Sequence, residues 1–277
     1  MPAGLISKKT DPEWKKYHQL SLFILKEFGF GVKSTMESRI LPEVEFIIED
    51  ILKRNGESFN PRALMYLSTS NIIMNVLFGR RHDYNQGVSA LAHQVMRIFD
   101  NLDVALDVAP ILRFLPFHRY KLNQQVDSQR EIQNILRKEI EKSSEVGADD
   151  CFVRRYLERV GEDYDHEQLR FTLRDLVVAA TDTTANALRW SLIALANNPN
   201  IQNRLRAELD AAVPRGNLPS LNDQSKLPFV DATILEILRW KTLVPLALPH
   251  VTLSDTNVGE YFIPAKTVVS PQFIHCK

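Results

Sequence analysis

The stretch 165–197 constrains this chain most, because it is long, largely apolar, and interrupted at its middle by Ala179-Ala180-Thr181-Asp182-Thr183-Thr184. Leu169, Phe171, Leu173, Leu176, Val177, Val178, Leu188, Trp190, Leu192, Ile193 and Leu195 leave little polar face, so the spacing predicts a helix running through an interior. A carboxylate there is costly unless it is paired or used. In a structural reading, Asp182 pairs with a neighbouring cation while Thr183 and Thr184 bond back to carbonyls one turn earlier. In a chemical reading, an interior acid beside a hydroxyl handles protons.

About fifty residues further on, Pro228 to Trp240 reads as a second apolar helix carrying Glu236 and Arg239 at i and i+3. A Glu-x-x-Arg pair is most often solvated and worth little. Its setting among Val230, Ala232, Ile234, Leu235, Ile237 and Leu238 predicts partial burial here.

Helices are expected near 12–28, 35–54, 61–78, 87–101, 117–145, 165–197, 199–212 and 228–240. Asp11-Pro12, Asn60-Pro61 and Asn198-Pro199 each place a cap residue before proline at the first helical position. Ser34-x-x-Glu37 and Asp165-x-x-Gln168 read as capping boxes, and Gly29, Gly56 and Gly79 stand where helices end. Two prolines make 109–117 an apolar connection. After Trp240 the texture changes to prolines and then to short alternating segments. Val251 and Leu253, a turn at Asn257-Val258-Gly259, Tyr261 to Ile263 and Thr267 to Val269 predict a small sheet with a hairpin.

Thirty-four basic and 34 acidic residues cancel, so no broad field draws nucleic acid or anionic lipid. Cys151 and Cys276 are too far apart in sequence to suggest a disulfide framework or metal-ligand spacing, which favours a reduced intracellular chain. Charged residues interrupt the apolar stretches, and no membrane span is expected.

Taken in order, Ala179-Ala180-Thr181-Asp182-Thr183-Thr184, Glu236-x-x-Arg239, Pro245, Pro249-His250 and Tyr261-Phe262-Ile263-Pro264 resemble a microsomal animal cytochrome P450. Upstream, Trp14-Lys15-Lys16-Tyr17-His18 and Phe28-Gly29-Phe30-Gly31 are similar to the family's helix across one haem edge. The resemblance implies a mainly α fold with a small C-terminal β-sheet. It also implies a haem cofactor and insertion of one oxygen atom into a small apolar substrate, with electrons from an NADPH-dependent reductase. The location it implies is the cytosolic face of the endoplasmic reticulum membrane. Asp182 and Thr183 would be the catalytic acid and hydroxyl, with Ala180 standing where glycine is usual. Trp14, His18 and His250 would meet haem propionates, His18 standing where arginine is common; on the residues alone, a packing tryptophan with an exposed histidine, and a solvated turn histidine at 250, are the alternatives. Glu236 and Arg239 would form the structural ion pair, 109–117 a substrate-access lid, and Val244, Leu246, Ala247 and Leu248 the substrate-cavity lining, simple packing of the post-helix loop being the equal alternative for the last four.

No Phe-x-x-Gly-x-Arg-x-Cys-x-Gly occurs, so residues 1–277 are expected to form a single, truncated cytochrome P450 domain. The N-terminal anchor, first sheet and haem-cysteine loop are expected to be missing, with neither Cys151 nor Cys276 serving as iron ligand. A partial gene model or an alternative splice would give such a chain. Two classes of function follow: a portion of a monooxygenase, inactive alone, or a non-catalytic helical binding protein derived from that fold.

Overall fold

A computed structural model describes residues 4–6, 8, 10–30, 33–81, 84, 88–103, 105–143, 150–161, 165–245 and 247–272, without the side chains of 33–35, 88–89 and 107–108. Leu246 and Cys276 therefore lie outside the described residues. The fold is mainly helical with a few short antiparallel strands, as the sequence predicts. In chain order the helices are α1 (Pro12–Glu27), α2 (Lys33–Lys53), α3 (Arg62–Phe78), α4 (Val88–Asp100), α5 (Ala105–Val108), α6 (Pro116–Ser143), α7 (Phe152–Val160), α8 (His166–Ala196), α9 (Pro199–Ala212) and α10 (Pro228–Trp240). Two compact units divide the chain: Met1–Arg189 with Pro219–Asn222, and Trp190–Leu218 with Asp223–Lys277.

In the first unit, α2 packs on α3, α3 on α4, α4 on α6, and α7 against α1, α3 and α6. The core is contiguous from Ile24 through Leu77, Leu91, Ile132, Leu136, Phe152 and Leu173, all fully or almost fully buried. Helix α3 carries buried residues on every side, Tyr66, Ser70, Asn71, Met74 and Val76 among them, and so forms the centre of the unit. Its end is set by Gly79, whose φ of 76° is strained for a side-chain-bearing residue and whose N–H returns to the Asn75 carbonyl at 2.8 Å.

The caps divide between expected and altered roles. Asp11 accepts the Trp14 N–H at 2.6 Å, and Asp165 accepts from Gln168 N at 3.0 Å, each the kind of bond worth about 1 kcal/mol. Asn60 Oδ1 accepts from Arg62 N at 3.0 Å. Gln168 does not complete its box, since its side-chain amide donates to Thr172 instead. Nor does Asn198 cap α9. Its amide donates to the Ala194 carbonyl at 2.7 Å, and Asn197 donates to Ile193 at 2.8 Å, so both close the end of α8.

Helix α8 buries one stripe rather than its whole circumference. Leu169, Leu173, Val177, Thr181 and Ala185 recur every fourth residue and are fully buried, whereas Leu188, Leu192 and Ile193 are about 40 % exposed. The expectation of a wholly interior helix therefore holds only along this stripe. Further elements depart from the reading of the sequence. Helices α5 and α7 were not expected, the proline-rich connection contains a 3-10 helix, Pro110–Phe114, and a second 3-10 helix spans Leu221–Lys226.

In the second unit, the Glu208 carboxylate of α9 accepts from Phe229 N at 3.0 Å and Val230 N at 2.9 Å, placing an anion on the N-terminus of α10. Strands β1 (His250–Val251) and β4 (Val268–Val269) pair antiparallel, as do β2 (Thr256–Val258) and β3 (Tyr261–Ile263). The hairpin turn is Gly259-Glu260, because Asn257 and Val258 belong to β2, pairing with Phe262 and Tyr261. The expected turn thus moves toward the C-terminus, with φ of +60° at Gly259.

Candidate functional site

The middle of α8 faces α3. Fully buried Thr181 receives two contacts from that helix, Thr69 Oγ1 to its carbonyl at 3.3 Å and Ser70 Oγ to its hydroxyl at 3.4 Å. One residue on, the half-buried Asp182 carboxylate accepts from the Tyr66 phenol and, at 3.0 Å, from Asn186 Nδ2. Asn186 in turn accepts at Oδ1 from Arg189 Nη1 at 2.8 Å. A hydrogen-bonded chain thus runs Arg189, Asn186, Asp182, Tyr66 along one helix and across to the next.

Burial pushes the Asp182 carboxyl above the usual carboxylate range, opposed by the donors on Tyr66 and Asn186 and by the charges of Arg62 and Arg189. Burial, then the hydrogen bond and charge of Asp182, push the Tyr66 phenol up to about 12. Both shifts favour the neutral forms. The structural reading of the sequence is met for Thr183, which donates to the Ala179 carbonyl at 2.8 Å. It is not met for Asp182, whose direct partners are a phenol and an amide rather than a cation. Ala180, half-buried, packs against the core.

Trp14 and His18 share a face of α1 and stack with ring centroids 4.7 Å apart. The Trp14 indole N–H already donates to the Leu5 carbonyl at 2.8 Å, so an acid approaching it would have to displace that bond. His250 is exposed at the start of β1 and belongs to the other unit. Glu236 and Arg239 form a two-bond ion pair at 2.6 and 2.5 Å, but their side chains are more than half exposed. The expected partial burial is corrected: α10 buries Ile237, while Leu235 and Leu238 are exposed, so apolar neighbours in sequence do not cover the pair. Val244 and Leu248 are exposed and Ala247 is half-buried at a φ of 50°. A groove of about 400 Å³ in the same unit is lined instead by Leu195, Ile201, Phe229, Ile237 and Trp240.

Two polar constellations were not read from the sequence. Tyr66 gave no signal, since a tyrosine in an apolar helix is ordinarily core and its partner lies 116 residues away. Glu43, 2 % exposed, accepts from Asn71 Nδ2 at 2.9 Å and Arg81 Nε at 2.7 Å; burial pushes its carboxyl up while Arg81 opposes the shift. It braces α2 against α3.

A family model described as cytochrome P450 matches residues 2–276. Cytochrome P450 2U1 from Bos taurus is 30 % identical over 284 residues, covering 97 % of this chain and 52 % of its own length. Cytochrome P450 2E1 from Rattus norvegicus is 31 % identical over 276 residues, covering 94 % and 55 %. Cytochrome P450 2F5 from Gorilla gorilla gorilla is 31 % identical over 277 residues, covering 95 % and 56 %. The chain spans about half the length of these curated relatives. Because the family model matches nearly all of its residues, the chain belongs to the cytochrome P450 family.

Proposed function

We propose that this chain is a portion of a haem-dependent monooxygenase that inserts one atom of dioxygen into a small apolar substrate. In this reading residues 1–277 belong to one domain, and Asp182 and Thr183 of α8 serve as its acid and hydroxyl. The observation that carries the reading is Asp182. Its carboxyl is half-buried at the middle of a long helix, its pKa is raised by burial, and donors on two helices hold it. Burial favours the protonated form of this carboxyl, the form that a general acid donates from. The Thr183 hydroxyl, now donating to Ala179, stands ready to exchange that bond for one to a reacting group. Family membership supports the remaining parts of the reading: an NADPH-dependent reductase as partner, and the endoplasmic reticulum membrane as location. None of the helices among the described residues is long and apolar enough to cross a membrane.

The described residues do not fit a complete haem site. Cys151 is fully buried, and desolvation pushes its thiol up, away from the thiolate that iron requires. The Trp14 donor is engaged by Leu5. The chain alone is therefore expected to be inactive. Carbon monoxide added to the reduced, haem-supplemented chain should give no thiolate-type absorption band, and such a band would contradict this reading. Sequencing the transcript beyond the Lys277 codon tests the ancestry: an in-frame cysteine loop supports the monooxygenase portion, whereas a stop codon favours the non-catalytic binding protein.

A further inference from the structure

We infer that Tyr66 is the positioning residue for Asp182, holding its carboxyl on the α3 side of α8 and apart from the Thr183 hydroxyl. The inference rests on the proposed role of Asp182 as an acid, and deepens it. Tyr66 is 1 % exposed, so its hydroxyl cannot turn to bulk water and needs a partner inside the protein. It donates to Asp182 Oδ1, the same oxygen that accepts from Asn186 Nδ2. The Asn186 amide also reaches the phenol oxygen at 3.3 Å, closing a three-membered cluster whose members sit on two helices. Thr183, the next residue, directs its proton to Ala179. Successive helical side chains diverge by about 100°, so the acid and the alcohol face different surroundings, and the acid's partner lies across the helix interface.

The groups acting on Asp182 are Tyr66 and Arg62 from α3, and Asn186 and Arg189 from α8 itself. Arg62 lies with its guanidinium carbon 5.7 Å from the Tyr66 ring centroid and pairs with Asp100. Burial pushes the carboxyl toward its neutral form. The phenol donor counteracts this by stabilising the anion. Tyr66 thereby fixes both where the carboxyl points and how readily it gives up its proton.

Aspartate labelled with 13C at the carboxyl, in the whole chain, reports the ionisation of Asp182. Tyr66→Phe removes the donor and keeps the ring, and should move the Asp182 titration upward by about one pH unit. In the reciprocal experiment, Asp182→Asn should lower the Tyr66 phenol titration, read from tyrosine labelled at Cζ, from about 12 toward the ordinary value. A purely structural tyrosine would alter thermal stability while leaving both titrations in place. Movement of either curve in the stated direction supports the inference, so a Tyr66→Phe variant that fails to fold leaves the reciprocal arm decisive. If both curves stay in place, or move in the opposite sense, the inference is overturned. A thiolate band in the carbon monoxide experiment would defeat the proposed inactivity of the chain and leave these titrations as they are.

Discussion

Phe152→Ala is expected to destabilise the first unit by about 3–5 kcal/mol, the range found for removing a fully buried aromatic ring. Phe152 has no exposed surface, stacks on Tyr156 with ring centroids 6.2 Å apart, and lies in a helix flanked by α1, α3 and α6. Those helices are held by their own neighbours and cannot collapse fully into the space, so the cavity adds to the lost transfer energy. With domain stabilities of about 5–15 kcal/mol, the variant should lose a large part of its folding free energy. Urea unfolding followed by hydrogen exchange at α3 and α7 amides checks this. A midpoint close to wild type would mean that α7 does not pack as described. Tyr156 gives a contrast on the same helix. Its buried hydroxyl has no hydrogen-bond partner among the described residues, so removing that group costs far less than removing the Phe152 ring.

The second large effect has the opposite sign. Asp182→Asn is expected to raise stability at pH 7, because the native structure holds the carboxylate at a pKa above its unfolded value, mainly through burial. A carboxyl raised on folding contributes most below its unfolded pKa of about 3.9, and that contribution is lost as the pH rises through the native value. The gap between the variant and wild type should therefore be absent in acid, open as the pH rises through that window, and stay constant above it. Thermal unfolding of both proteins across this range is the measurement. A variant less stable than wild type at pH 7, with the gap closing as the pH rises, would contradict the sign. A gain in stability on removing a candidate acid is what a functional site held against its own folding preference should show.

Sequence pattern made the long helices legible, since their caps, prolines and apolar spacing act within a few residues. Asp11 and Asp165 cap where they were expected to. Helix α7 carried a signal too, with Phe152, Val153, Tyr156, Leu157 and Val160 on one face, but Cys151 at its start is not a capping residue by type and the helix has only nine residues. So short a pattern does not stand out from a loop without knowledge of what it packs against. The site was half legible. Asp182 declared itself as a carboxylate among apolar residues, whereas Tyr66, which holds it, depends on the docking of α3 on α8. The same limit explains Glu236 and Arg239: an apolar neighbourhood in sequence does not say which face of α10 is covered, and the face bearing the pair is open.

Carboxyl labelling by a water-soluble carbodiimide and an amine, read by peptide mass spectrometry, tests the central claim most directly. Asp182, half-buried and held by Tyr66 and Asn186, should react slowly in the folded chain. Exposed Glu236 should react fast, and both should react alike after denaturation. Labelling of native Asp182 as quickly as of Glu236 would place that carboxylate in solvent and contradict the account.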